Sequence, residues 1–554
     1  MSKNVTNVYR RLYEKSEDSK NSIEICEKKV EIAQSSKAFS QQNPSIILDG
    51  TKIETLQERM QEIRQSTMDD LNNRLNDMMS EVMQRLRVNT TQNGYHKEPL
   101  DHSKRRQNGK LTDKQFLPRK SFLTDLFEIN HIRTIYNIFI VMLLILFLNT
   151  AVHDFIETGT THLGIRTVTL GFGKFSSTIQ IWIAMLLSTF ATYLAFSVWV
   201  HKHYQCFPNS FFMLVLDYGF LLAYIFHQIA FIALPTKFLV QEKLPPASSL
   251  IILTEQVRML MKTHAFVRST APRILAQKLK NDDKTESNCP GFSKFLYFMF
   301  APTLVYRDEY PRTLAIRWKI VLWNFAEVVM VVFYAAFIFE RFLIPPFEKF
   351  NPRIFEPQAV ILTIFSITLP GLIMFLFGFY CILHSWQNGM AELLKFADKL
   401  FYRDWWNCTS YDAFYRTWNI IVHDWLYTYI YKDVYEKFHS KFLATLTVFL
   451  VSAAFHEYIL AFAFRFFYPV MMLMFGGFGL LLVFITKKHS KIDGNIFIWF
   501  SLFMGNGIIF TLYLMEYHAR SNCPPYDDQL FDLLMPRSWI CHNILSNVSV
   551  DVKS

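Results

Sequence analysis

Apolar residues along this 554-residue chain gather in runs of about twenty, the length that crosses a hydrocarbon core, separated by short polar stretches. The pattern predicts membrane spans over 134–153, 179–200, 211–234, 320–343, 358–384, 442–464, 469–486 and 496–515. With only the first three ahead of it, the Lys/Arg-rich stretch 268–312 would lie on the lumenal side, against the positive-inside tendency. A further crossing at 248–266 removes the conflict. Its middle carries Glu255, Arg258 and Lys262, so it is expected to pack inside the protein and line a polar path. The fold class this implies is an all-α, polytopic membrane protein with about nine transmembrane helices.

The remaining pattern divides the chain into a cytosolic arm over 1–120, a transmembrane domain over 121–516 and a lumenal tail over 517–554. The arm is polar and reads as mostly disordered, except that 53–86 repeats apolar residues every three or four positions, as an amphipathic helix does. Self-association is one use for such a helix; docking on a membrane or on the protein's own cytosolic face is another. The basic run from Lys104 to Lys120 keeps the arm cytosolic. Residues 387–440 are too aromatic for a solvated linker and predict half-embedded amphipathic helices, and Pro370-Gly371 predicts a kink.

Composition sharpens this picture. Hydrophobic residues make up 51% of the chain and aromatic residues 16%, which excludes a string of soluble domains. The net charge of +10 sits largely in the arm and loops, where it sets topology and attracts anionic lipid or an anionic ligand; no nucleic-acid motif accompanies it. The polar amino terminus has no apolar core of a cleavable signal, so the first span is expected to direct insertion. Seven cysteines without a CxxC spacing suggest neither a zinc site nor a disulfide framework. Cys523 and Cys541 share the tail; in an oxidising lumen they are candidate disulfide partners, the alternative being two unrelated thiols. Asn547-Val548-Ser549 is a glycan acceptor if the tail is lumenal.

Candidate chemistry concentrates between Phe401 and His456. In the run around Ser452 and Phe455, His456 and Glu457 interrupt an apolar span, where each ionisable group costs about 3 kcal/mol if exposed to lipid. A histidine there suits a general base that takes a proton from an alcohol, with Ser452 four residues earlier on the same face; a hydrogen-bonded structural histidine is the alternative. HExxH metal chemistry would need a histidine where Leu460 stands, and no GxSxG elbow occurs. Direct attack by a bound substrate hydroxyl remains. The loop adds Arg403, Arg416, Lys432, Lys437 and Lys441 for phosphates, Trp405, Trp406, Tyr411, Phe414, Tyr415 and Trp418 for stacking or interfacial anchoring, and Asn419 as donor to a carbonyl oxygen gaining charge.

The run Phe401-Tyr402-Arg403-Asp404-Trp405-Trp406-Asn407, the stretch 415–427 after it and the residues around His456 resemble the sterol O-acyltransferases of the membrane-bound O-acyltransferase superfamily. So do stretches 131–137, 300–313, 501–507 and 537–539. The first run is shared with the diacylglycerol acyltransferase branch; stretches 306–312 and 415–427 are closer to the sterol branch. The resemblance implies transfer of a long-chain acyl group from acyl-CoA to a sterol 3-hydroxyl in the endoplasmic reticulum membrane, with cholesterol or a related sterol as acceptor. It implies no cofactor or metal beyond acyl-CoA as co-substrate, His456 as catalytic base and Asn419 as its partner. It places Tyr415, Arg416, Asn419, His423, Tyr431, Lys441 and Ser452 against acyl-CoA. It also implies a homo-oligomer, dimer or tetramer, with 53–86 as the oligomerisation helix. A diacylglycerol or other alcohol acyltransferase, and a non-catalytic sterol sensor or transporter, are the rival expectations.

Overall fold

The computed structural model describes residues 68, 106–107, 110–111, 113–161, 164–206, 210–278, 289–348, 357–486 and 491–539. The chain separates into compact units of residues 1–97 and 98–554. Of the first, Met68 alone is described, helical and exposed; the rest of the expected helix at 53–86 lies outside the described residues, as do Cys541 and Asn547. The second unit is almost wholly helical, its described strands being the two-residue antiparallel pair Arg106–Gln107 and Lys110–Leu111.

Its principal helices are α1 Asn130–Thr158, α2 Phe175–Gln205, α3 Phe211–Gln241, α4 Pro246–Lys278, α5 Phe292–Phe300, α6 Trp318–Ile338, α7 Pro357–Gly378, α8 Tyr411–Thr417, α9 Ile420–Leu426, α10 Lys432–Phe438, α11 Lys441–Phe464, α12 Leu480–Ile485, α13 Lys491–Asn522 and α14 Gln529–Leu534. Wider π-helical turns extend α6 over Phe339–Leu343 and α7 over Phe379–Trp386, join α9 to α10 over Tyr427–Tyr431, and precede α12 over Met472–Gly479. Among the described residues, seven helices are long and apolar enough to cross a membrane: α1, α2, α3, α6, α7, α11 and α13. Each outruns its predicted span, because hydropathy marks the lipid-facing stretch while backbone hydrogen bonding continues into the interface. A helix also occupies 248–266 and another 472–485, but the first is too charged and the second too short to join the seven.

One face of α4 is buried, with Ile252, Leu253, Gln256, Met259 and Lys262 all inaccessible. Its charges do not line a polar path as expected; they are consumed within the protein. Glu255 pairs with Arg258 at 2.7 Å and accepts from Trp182 Nε1 at 3.0 Å. Lys262 Nζ donates to the carbonyls of Phe298, Met299 and Ala301 at 2.6, 3.1 and 2.7 Å, closing the C-terminal end of α5 with a cation where the helix dipole favours one. Gln256 repairs a neighbour in the same way. Pro235 inside α3 has no N–H for the Phe231 carbonyl, and Gln256 Nε2 donates to that oxygen at 2.8 Å.

α7 carries Pro370, where a kink is expected, inside its length and runs on through it. Its partner is α13. A Cβ on Gly507 would stand 2.5 Å from Thr368 Oγ1 and 3.1 Å from the Ile364 carbonyl, so only glycine permits this approach. Ahead of the site three segments meet edge to edge. Arg119 N donates to Ala397 O and Lys399 N to Arg119 O, while Ala397 N donates to Pro311 O and Thr313 N to Lys395 O. Buried Glu392 accepts from Arg317 at 2.7 Å and Lys399 at 2.6 Å. This junction fixes where the chain enters position 401.

Candidate active site

The Phe401 to Asn407 run is mostly scaffold. Phe401, Tyr402 and Trp405 are buried. The Trp405 ring meets Trp418 at 4.7 Å, Phe379 at 5.2 Å and Trp499 at 5.6 Å between centroids. Tyr402 Oη lies 2.9 Å from Ser121 Oγ and 2.5 Å from His384 Nδ1. Trp406 packs on Phe122, Asp404 opens the short turn by accepting from Asn407 N at 3.0 Å, and Asn407 itself is exposed. The scaffold in turn holds the next helix: Arg403 N donates to Thr417 O at 2.9 Å and Ile420 N to Phe401 O at 2.9 Å, pinning the start of α9 on both sides.

Asn419 is the residue so pinned. Its Oδ1 caps α9 by accepting from Val422 N at 3.1 Å, which turns the amide nitrogen into the group left to donate elsewhere. Ser410 caps α8 in the same manner. On α8 the Arg416 guanidinium folds back on Asp412 of its own helix, so it is not held out as a free phosphate ligand. Tyr415 is half-buried; burial pushes its phenol up, so it stays protonated, and its ring meets Phe449 at 4.9 Å and Phe475 at 5.3 Å. A Cβ on Gly479 would come within 2.4 Å of the Tyr415 hydroxyl.

From Ile420 to Phe438 the chain is one helix with a π-helical middle. Trp425 and Tyr429 face inward, Trp425 Nε1 donating to Met261 O at 2.9 Å and Tyr429 Oη lying 2.8 Å from Ser269 Oγ. The half-buried face carries a ladder of four parallel rings. His423 stacks on Tyr427 at 6.3 Å and 9°, Tyr427 on Tyr431 at 5.6 Å and 18°, and Tyr431 on Tyr435 at 6.1 Å and 7°. In an uninterrupted α-helix residues four apart drift by about 40° per step. The wider π turn rotates less per residue and returns the ladder to one face.

Lys441 opens α11 and is exposed; Ser452 lies three turns further on and His456 four. His456 Nδ1 sits 2.7 Å from the Ser452 carbonyl. A carbonyl oxygen only accepts, so the neutral ring's proton is assigned to Nδ1, leaving the lone pair on Nε2. The imidazole is exposed, with Phe475 beside it at 5.4 Å. Next to it buried Glu457 accepts from Met472 N at 3.1 Å and from Tyr513 Oη at 3.2 Å, tying the π turn that carries Phe475 to α11. Ring contacts therefore run without a gap from Trp405 through Trp418, Phe414, Tyr415 and Phe475 to His456.

Sequence reasoning misses Phe475, the anchoring role of Glu457, and the ladder partners Tyr427 and Tyr435. The four-residue spacing from His423 to Tyr435 is a signal for the ladder; nothing in the sequence points to Phe475. Lys432, expected to meet phosphate, is instead buried and paired with Asp113 at 2.5 Å. Lys437 and Lys441 remain exposed. Cys523 is buried and disulfide-bonded; Cys541, its expected partner, is outside the described residues. Among the described residues no group of three or more His, Cys, Asp or Glu is placed to hold a metal ion.

Residues 168–515 match the membrane-bound O-acyltransferase family. The chain is 40% identical over 435 residues to sterol O-acyltransferase 1 of Mus musculus, covering 78% of this chain and 80% of the mouse protein. It is 41% identical over 445 residues to sterol O-acyltransferase 1 of Cricetulus griseus, and 40% identical over 435 residues to sterol O-acyltransferase 2 of Homo sapiens, covering 78% and 77% of this chain and 79% and 80% of those proteins.

Proposed function

The chain belongs to the membrane-bound O-acyltransferase family, and from that membership we propose that it esterifies sterols, moving a long-chain acyl group from acyl-CoA to the 3-hydroxyl. The observation that carries the mechanism is the His456 hydrogen bond to Ser452 O, which commits Nδ1 and presents Nε2 as the base. The sterol hydroxyl gives its proton to Nε2 as its oxygen attacks the thioester carbon. Asn419, its Oδ1 held by the cap, donates from its amide nitrogen to the carbonyl oxygen as negative charge builds. The C–O bond forms, the C–S bond breaks, and the proton passes from His456 to the departing thiolate of CoA.

The arrangement suits an elongated co-substrate. Lys441 and His456 are fifteen positions apart on one helix, about 22 Å at the α-helical rise, so phosphates at the cytosolic end and the reacting carbon inside the bundle are served by one element. Lys437 and Lys441 meet the phosphates, the ring ladder with His423 and Tyr431 flanks the nucleotide and pantetheine arm, and Tyr415, Arg416 and Ser452 line the acyl end. The sterol arrives from the bilayer, since water dissolves almost none of it. In the same reading the protein lies in the endoplasmic reticulum membrane as a homo-oligomer, crosses it nine times, and has its amino terminus in the cytosol. Its carboxyl terminus is lumenal, with Cys523 paired to Cys541.

The test is transfer of labelled oleate from its CoA ester to cholesterol, with diacylglycerol as a parallel acceptor, by purified protein in detergent micelles. Cholesteryl ester from wild type and none from His456→Ala is the expected result. Product on diacylglycerol alone moves the acceptor, and product on neither removes the enzyme reading.

A further inference from the structure

The segment 113–121, where the arm ends ahead of the first membrane helix, does not run freely over the surface. Lys114 Nζ meets Asp424 Oδ2 at 2.6 Å, with both side chains about four-fifths buried at 16% and 21% exposure. Asp113 Oδ1 takes Lys432 Nζ at 2.5 Å, and Lys432 is itself buried. Asp424 comes just after the first rung of the ring ladder and Lys432 just after the third, eight residues or about 12 Å apart along the helix axis. Two adjacent residues thus reach both ends of the stretch that carries His423, Tyr427 and Tyr431. The strap is in turn anchored behind them. Arg307 donates to Lys114 O at 3.4 Å, the Phe116 ring meets Tyr310 at 5.1 Å, and Arg119 pairs with Asp398 at 2.8 Å.

One residue on from Lys432, Arg268 holds the same helix through a bidentate contact with Asp433. Trp425 and Tyr429 fix its inner face. A helix of nineteen residues with a π-helical centre has less regular hydrogen bonding where the rings must stack, so its register depends on such outside supports.

We propose that Asp113 and Lys114 are positioning residues that clasp this helix and thereby set the affinity for acyl-CoA, an inference that rests on the acyl-CoA reading of the ladder given above. The strap touches no reacting atom. It acts through Asp424 and Lys432, which hold the rings in line, and a charge left unpaired at either position would compete with that alignment. Lys432, a phosphate ligand by sequence pattern, instead serves as the far hook of the clasp.

The experiment uses the full-length protein and three variants, Lys114→Asp, Lys114→Arg and the charge reversal Lys114→Asp with Asp424→Lys. Binding of labelled oleoyl-CoA without sterol, KM and kcat for transfer, and backbone hydrogen exchange over 420–438 are measured on each. Lys114→Asp is expected to weaken oleoyl-CoA binding and raise its KM by about tenfold, to leave kcat and the cholesterol dependence within about twofold, and to speed exchange over 420–438. Lys114→Arg should match wild type, and the reversal should recover most of the loss. Unchanged oleoyl-CoA binding in Lys114→Asp overturns the proposal, as does a reversal that fails to recover while remaining folded. Wild type that binds oleoyl-CoA but transfers nothing defeats the catalytic reading and leaves the clasp to be judged by binding and exchange; wild type that binds none defeats both.

Discussion

The Phe401 to Asn407 run and the surroundings of His456 stand out in the sequence for related reasons: each sets residues of the wrong kind into a membrane-like context. Folded, they differ. Trp405 is buried among rings and Tyr402 is bonded to two partners, whereas His456 has one nitrogen committed and its ring exposed. A crowd of large aromatic residues is what dense packing produces, because burying them is among the largest single contributions to a core. An ionisable group kept open within an apolar helix adds little to stability, and the proposed mechanism gives it a chemical reason. In the proposed mechanism, density marks the frame and exposure marks the reacting group. There Asn419 stands between the two, since its carbonyl oxygen caps α9 and its amide nitrogen is assigned to the reaction.

That contrast breaks if the two regions respond alike to substitution. Replacing His456 with alanine should cost about 10²–10⁴-fold in kcat, the usual share of a general base, with little change in acyl-CoA KM and no loss of folded protein. Initial rates on labelled oleoyl-CoA beside a size-exclusion profile would separate the two effects. Trp405→Ala should do the reverse, destabilising by about 3–5 kcal/mol because it empties a ring site that no neighbour fills. The measurement is the fraction that survives heating in detergent; a Trp405→Ala protein as stable as wild type but inactive would move the motif from frame to chemistry.

Asn419→Asp sharpens the boundary. Aspartate keeps an oxygen that can cap α9 at Val422 N but has no N–H to offer a carbonyl, so stability should hold within about 1 kcal/mol while kcat falls by about 10²-fold. Asn419→Ala removes both functions and should lose both. Equal stability loss in the two variants would mean that the side chain does more than cap and donate.

The legibility of the fold and site in the sequence divides along the same line. The long apolar helices can be read directly, because crossing a bilayer demands length and apolarity together. The charges of α4 mark it correctly as internal, but their fate is hidden, since Lys262 is satisfied by carbonyls of α5 that no local pattern brings near. His456 stands out by its setting. Phe475 cannot, being one phenylalanine among 54 until a π turn places it beside the imidazole. Lys432 misleads because a lysine in a basic loop looks like a phosphate ligand, and its partner Asp113 lies 319 positions away.

The smallest effect expected concerns pH, and it separates the clasp from the base. Burial works to raise the Asp424 carboxyl, but its hydrogen bond with His423 and the Lys114 ammonium outweigh it and hold the group below its ordinary value. The Lys432 hydrogen bond does the same for Asp113, which is mostly exposed and so contributes less. For a carboxylate whose folded pKa is lowered, the stabilisation is complete above the unfolded value of about 3.9 and disappears as pH falls through the lower, folded one. The clasp is therefore closed throughout the physiological range. Once corrected for the intrinsic pH dependence of exchange, protection over 420–438 should stay flat between pH ~5 and ~8 and weaken only in strong acid. A change in protection near neutrality would overturn this account of the clasp.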